Sequence, residues 1–146
     1  MTTINASFRN VILAIIKAAG KEDEFNKAFA ENDAVYIKVK NGSWIPLSIE
    51  AIGNHHESKL PQISVTHYGE SNGDAMRDPE MVFEIHPNGH WIANNFRNDW
   101  IGVDREMVVK RDDKGMPIAW RKDSFPAIWA RNLRDQGFIE AAKQCH

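Results

Sequence analysis

The 146-residue sequence predicts an α+β fold, an antiparallel β-meander of about six or seven strands with N-terminal and C-terminal helices. Three observations carry that expectation. Apolar residues recur at helical spacing as far as Phe29, and from Val35 the period shortens to the alternation of a strand. Compact turn signals then separate the strand-like stretches, at Asn41-Gly42, Pro87-Asn88-Gly89 and Asp112-Asp113-Lys114-Gly115. Helical spacing returns after Pro126, which suits the first turn of a helix.

The first helix is read from "NASFRNVILAIIKAAG", where Phe8, Ile12, Ile15, Ile16 and Ala19 share one face. Asn5 or Ser7 can cap its start, and Gly20 stands where a left-handed stop is wanted. "KEDEFNKAFAEN" continues as a shorter helix with Phe25, Ala28 and Phe29 inward and acids at its start, which suit the helix dipole.

In "AVYIKVK", Val35, Ile37 and Val39 alternate with Tyr36, Lys38 and Lys40. Asn41-Gly42 accepts the positive φ angles of a type I′ turn, so "SWIPLSIEAI" is the return strand, with Ile45, Leu47 and Ile49 on one face. Pro46 has no N–H to give a ladder, which makes this an edge strand or a bulged one. "GNHHESKLP" reads as a loop and "QISVTHY" as the third strand. In the fourth, "MVFEIH", Met81, Phe83 and Ile85 oppose Val82, Glu84 and His86. "HWIAN" returns after the Pro87–Gly89 turn, "NFRNDWIG" is irregular, and "REMVVKR" with "MPIAW" forms a last hairpin. The closing helix has Asp123 or Ser124 as its cap and Phe125, Ile128, Trp129 and Leu133 as its apolar stripe. Gly137 ends it, and "FIEAAKQC" adds a short turn or two.

Residues 1–146 read as one domain, long enough to bury roughly 70% of the unfolded chain's surface without a metal or disulfide. The apolar fraction of 42% and charged fraction of 26% are those of an ordered globular chain. A net charge of −2 gives the whole molecule no pull towards nucleic acid or an acidic membrane. Charge is uneven along the chain: residues 70–84 carry five acids and one base, whereas residues 105–146 carry nine bases and six acids. The single cysteine, Cys145, allows no intramolecular disulfide and no cysteine-based zinc site, which fits a cytoplasmic location. The longest apolar run, "VILAII", falls far short of the roughly 20 residues that span a bilayer, and Lys17 closes it too early for a signal-peptide core. No membrane association and no cofactor are expected.

Chemistry concentrates in "HYGESNGDAMRDPEMVFEI", where His67, Glu70, Asp74, Asp78, Glu80 and Glu84 surround Arg77. Lying between two predicted strands, Glu70 to Glu80 would form a loop on a rigid sheet, where sites tend to sit. Its carboxylates could hold a hard cation that activates water, the basis for a metal-dependent hydrolase or nuclease reading that uses His67, Glu70, Asp74, Asp78 or Glu80. The spacing matches no EF-hand, Walker or HExxH pattern, and the stretch reads equally as a turn at Asn72-Gly73-Asp74 with Arg77 paired to a nearby acid. Zinc held by two of His55, His56, His67, His86 and His90 with Glu70 or Asp74 is a geometric option if the strands of His67 and His86 pair. "NNFRNDWIGVDRE" adds Phe96, Arg97, Asn98, Asp99 and Trp100, which with Tyr68 and Trp91 could make a binding surface; at least two of Trp91, Phe96 and Trp100 are expected in the core. No nucleophile elbow or glycine-rich phosphate loop is present. Arg131 and Arg134 on the closing helix offer a route to nucleic acid.

"HYGESNGDAMRDPEMVFEI", then "NNFRNDWIGVDRE", then "WARNLRDQGF" together resemble an uncharacterised domain family of phages, plasmids and their bacterial hosts. Members of that family look like HYxEQNGDxMxDPEMxFE, followed by a QND-aromatic-x-G segment and a helix ending in N-(L/I)-x-x-Q-G-F. The likeness covers residues 60–138. This chain departs from it at Ser71 and Arg97, where the family has Gln. The resemblance brings no activity with it. It implies a mobile-element or phage accessory context; with no recognisable catalytic constellation beside it, the expected role is binding of a host or element-encoded macromolecule, counter-defence being one such role. Binding candidates are His67, Tyr68, Glu70, Asn72, Asp74, Arg77, Asp78, Glu80, Arg97, Asn98, Asp99 and Trp100.

Overall fold

A computed structural model describes residues 3–145. Helices α1 (Ala6–Ala18) and α2 (Glu22–Glu31) lead into strands β1 (Ala34–Asn41), β2 (Trp44–Asn54), β3 (Pro61–Ser71), β4 (Asp74–Ile85), β5 (Trp91–Asn98) and β6 (Val103–Glu106). A hairpin of β7 (Val108–Arg111) and β8 (Pro117–Trp120) follows, and α3 (Phe125–Asp135) and α4 (Phe138–Ala142) close the fold. The first six strands form one antiparallel sheet in sequence order, and β7 and β8 form a second sheet of two strands. The fold is α+β, a meander between helices, as the periodicity predicts.

The helices cover one face of the large sheet. Phe8, Ile12, Ile15 and Ile16 of α1, Phe25 of α2, Trp129 and Leu133 of α3 and Phe138 of α4 pack on Val39, Leu47, Ile49, Ile63, Val65, Met81, Phe83 and Trp91. Each such side chain stabilises the fold by about 1.5–3 kcal/mol relative to an exposed one. Phe8 is the hub, with ring centroids 5.1 Å from both Phe83 and Trp129. The opposite face is polar, and Ser48, Ser64, Thr66, Glu84 and Asn94 are buried there. No helix among the described residues is long and apolar enough to cross a membrane.

Several local expectations are corrected. Glu70 to Glu80 is not a loop but the outer half of a long β-ribbon, because β3 runs to Ser71 and β4 begins at Asp74. Asp78-Pro79 therefore lies inside β4, which begins well before the expected "MVFEIH". β2 is interior, between β1 and β3; Pro46 is tolerated at a register shift opposite the end of β1, which is the bulged alternative. Ile45 lies beyond that shift and is exposed. "REMVVKR" divides at buried Met107 into β6 and β7, which belong to different sheets, and the supposedly irregular "NFRNDWIG" contains the end of β5 and a turn into β6. This makes eight strands among the described residues. Ile128 is exposed, and Pro126 and Ala130 join Trp129 and Leu133 on the buried face of α3. Asn5 does not cap α1; its amide donates to the Trp91 carbonyl at 2.8 Å. Ser124 holds the N-cap position of α3 without a side-chain cap bond, and Asp123 before it accepts the Phe125 N–H at 2.8 Å.

Candidate functional site

The ribbon owes its shape to two local features. Asn72 and Gly73, with φ of 52° and 85°, supply the paired positive angles that reverse the chain between strands. Further in, Thr66 pairs with Glu80 and Tyr68 with Arg77, so His67 alone faces both Asp78 and Pro79. Residues three apart in a regular strand point to opposite faces. This bulge adds one residue to β4 and brings Arg77 and Glu80 onto the same face.

On that polar face a chain of contacts crosses the sheet. Ser64 and Thr66 hydroxyls donate to Glu80 Oε2 at 2.9 and 3.4 Å. Arg77 Nε stands 3.6 Å from Glu80 Oε1, and its Nη1 stands 3.4 Å from Asp99 Oδ2. Asp99 clasps the Arg77 backbone at both of its polar groups: its carboxylate Oδ2 accepts the Arg77 N–H, and its own N–H donates to the Arg77 carbonyl, both at 2.9 Å. Arg97 Nε donates to Asp99 Oδ1 at 2.9 Å, and Arg97 Nη1 lies 3.9 Å from Asp104. The Arg77 amide first, then Arg97, holds the Asp99 carboxyl below the usual carboxylate range, and Asp99 in turn raises Arg97. Asn98 Nδ2 donates to Asp78 Oδ1 at 3.1 Å, while its Oδ1 accepts the Trp100 N–H at 3.0 Å.

His67 leaves this assembly. Its side chain continues the core-facing row of Ile63 and Val65 and packs 5.6 Å from the ring centroids of Trp129 and Phe138. Nδ1 donates to the Ile45 carbonyl at 3.0 Å, which fixes the proton there. Burial pushes its pKa below the ordinary histidine value, against the pull of the Pro46 and Ile45 carbonyls. His67 lies at the bulge in the middle of the β3–β4 pairing and His86 follows the end of β4, beyond the Gln62–Glu84 pair, so the expectation that they approach one another is corrected.

Glu70, Asn72 and Asp74 are exposed at the ribbon tip. Each remaining acid of the motif has its own partner, and the carboxylates from Glu70 to Glu80 do not converge on one point. The last β2–β3 pair is Leu47 with His67, so the tips of the two hairpins part beyond it. Between them opens a cleft of about 510 Å³ lined by Trp44, Ile45, Tyr68 and Glu70. Tyr68 is 40% exposed, Trp44 51% and Trp100 49%. Trp100 rests on Gly69, where a Cβ would stand 3.6 Å from the indole. Trp91 and Phe96 are core, as expected of two of the three aromatics. Arg131 and Arg134 lie on the exposed side of α3.

One constellation escaped the sequence reading. Glu84 is fully buried and accepts from both terminal nitrogens of Arg111, at 2.8 and 2.7 Å, from Ser58 at 2.7 Å and from Asn94 at 3.0 Å. Burial by itself would raise the carboxyl; these four donors outweigh it and hold the pKa below the ordinary value. Asn94 is the extra residue of a β4–β5 register shift and also donates to Gln62 at 3.0 Å. A charge set within "MVFEI" was the available signal, since a buried acid needs a partner, but nothing local names Arg111. His55 completes the group: Arg111 Nη2 approaches its Nε2 at 3.2 Å, and the Glu57 amide approaches Nδ1 at 3.1 Å. Burial, and behind it Arg111, keeps His55 below its usual pKa although Glu84 pulls the other way.

Ligand atoms of His55, His56 and Glu57 lie within 4.8 Å of one another, the one such group among the described residues. The His55 nitrogens are both engaged by N–H donors, and a cation at Nε2 would have to displace a guanidinium tied to Glu84. The donor set fits a metal poorly.

A family described as "Domain of unknown function" (DUF6908) matches residues 10–139, a span that takes in the ribbon, the Arg77–Asp99 clasp and the Glu84–Arg111 pair. No curated protein and no solved structure matches the chain. A match over so much of its length means that the chain belongs to this family, the domain of unknown function DUF6908.

Proposed function

We propose that this protein is a binding module, an accessory factor of a phage or plasmid that acts in the cytoplasm on a host or element-encoded protein. One observation carries the reading. The inner charged residues of the motif are engaged within the chain, while three large aromatics, Tyr68, Trp44 and Trp100, stand exposed around the tip of a β-ribbon that those charges brace. Rigid, half-exposed aromatic groups make strong contact anchors because they bury much area for little lost conformational freedom. Glu70 and Asp74 add negative charge at the same tip, which favours a partner with basic side chains.

The test is affinity capture with the intact chain as bait, comparing wild type with the triple variant Tyr68→Ala/Glu70→Ala/Trp100→Ala. A partner retained by wild type and lost by the variant, at an unchanged thermal midpoint, is the expected result. Equal retention by both proteins sinks the assignment to the ribbon tip.

A further inference from the structure

On the helix-covered side, away from the ribbon tip, a cavity of about 320 Å³ lies between the starts of α1 and α3 and the strands β4, β5 and β8. Its floor is core: Met81, Met107 and Ala93 are 0%, 2% and 6% exposed. Buried Pro126 forms part of the wall. The mouth is the exposed segment Arg121-Lys122-Asp123, which joins β8 to α3.

Charge at the mouth is lopsided. Asp123 is turned to the Phe125 N–H, whereas Arg121 and Lys122 have no ion-pair partner among the described residues. Two free cations thus stand over an apolar hole. A well-formed apolar pocket with a few polar groups gathered at its opening is how a protein takes up a small molecule of matching polarity.

We propose that this cavity is a binding site for an amphiphilic monocarboxylate, its aliphatic or aromatic body against Ile4, Trp120 and Pro126 above the floor of Met81, Ala93 and Met107, and its carboxylate between Arg121 and Lys122. The proposal stands independently of the ribbon-tip reading, since the two sites share no residue.

The intact chain, labelled at its methionine methyl groups, is titrated with decanoate, 4-phenylbutyrate, decanol and decylamine, with calorimetry alongside. The two acids distinguish an aliphatic from an aromatic body. At least one acid is expected to bind and to shift the Met81 and Met107 methyl signals while leaving Met76 on the ribbon unchanged. Arg121→Gln/Lys122→Gln should weaken that acid by tenfold or more and leave decanol unaffected. Both substitutions lie on the surface, so folding is retained. Failure of both acids to bind, shifts confined to other methionines, equal affinity for decylamine, or indifference to the double substitution each overturns the proposal.

Discussion

Glu84 and Arg111, 27 residues apart, form a two-pronged ion pair in which the carboxylate has no exposed surface and the guanidinium side chain is 11% exposed. It joins the polar face of the large sheet to the β7–β8 hairpin. Two charges this deep are stabilising only together, because either one alone keeps its desolvation cost and loses its compensation.

Arg111→Met should therefore destabilise the fold by about 3–5 kcal/mol in urea denaturation, since it leaves a buried carboxylate behind. Glu84→Leu combined with Arg111→Met should recover most of that loss. A double variant no more stable than Arg111→Met would show that Ser58 and Asn94 dominate the site.

Acid should destabilise the protein in two stages. His67 and His55 have folded pKa values below the unfolded one, so the unfolded chain takes up more protons as pH falls. Their contribution is complete above about 6.5 and declines as pH drops towards the folded values. Glu84 is also depressed, so its contribution is complete above about 4.3 and is lost as pH falls through its folded pKa. Thermal midpoints from pH 8 to 3 should show both segments, and His67→Gln should flatten the upper one. An unchanged upper segment in that variant, and in His55→Gln, would remove the histidine account.

Two glycines separate turn strain from packing. Gly73, at the ribbon turn, has φ of 85° and no atom within 4 Å of an added Cβ. Gly115 has φ of 82°, but its Cβ would lie 2.4 Å from the Glu57 backbone, where the β7–β8 turn meets the His55–Ser58 segment. Gly73→Ala should cost about 1 kcal/mol, the strain alone. Gly115→Ala should cost at least twice as much, because backbone must move as well. Equal midpoints in guanidinium would mean that the hairpin yields freely.

Element type was legible in the sequence wherever the period was local. Phe8, Ile12, Ile15 and Ile16 marked the buried face of α1, Asn72-Gly73 marked a reversal, and Met81, Phe83 and Ile85 marked the core side of β4, whereas the first hairpin turns at Gly42-Ser43, one residue past the expected Asn41-Gly42, because Asn41 still belongs to β1. A side chain's own stereochemistry and its nearest neighbours suffice for these features. Tertiary structure alone decided how the candidate site is wired. Arg77 and Glu80 share a face because of a bulge, and a bulge is a property of two paired strands. Asp99 closes on Arg77 across a strand boundary, His67 turns into the core against Trp129 and Phe138, and Glu84 meets Arg111 only when the second hairpin folds over the sheet. Alternation along one strand states which residues lie together on a face; which charges meet across that face depends on register, and register is set by the whole sheet.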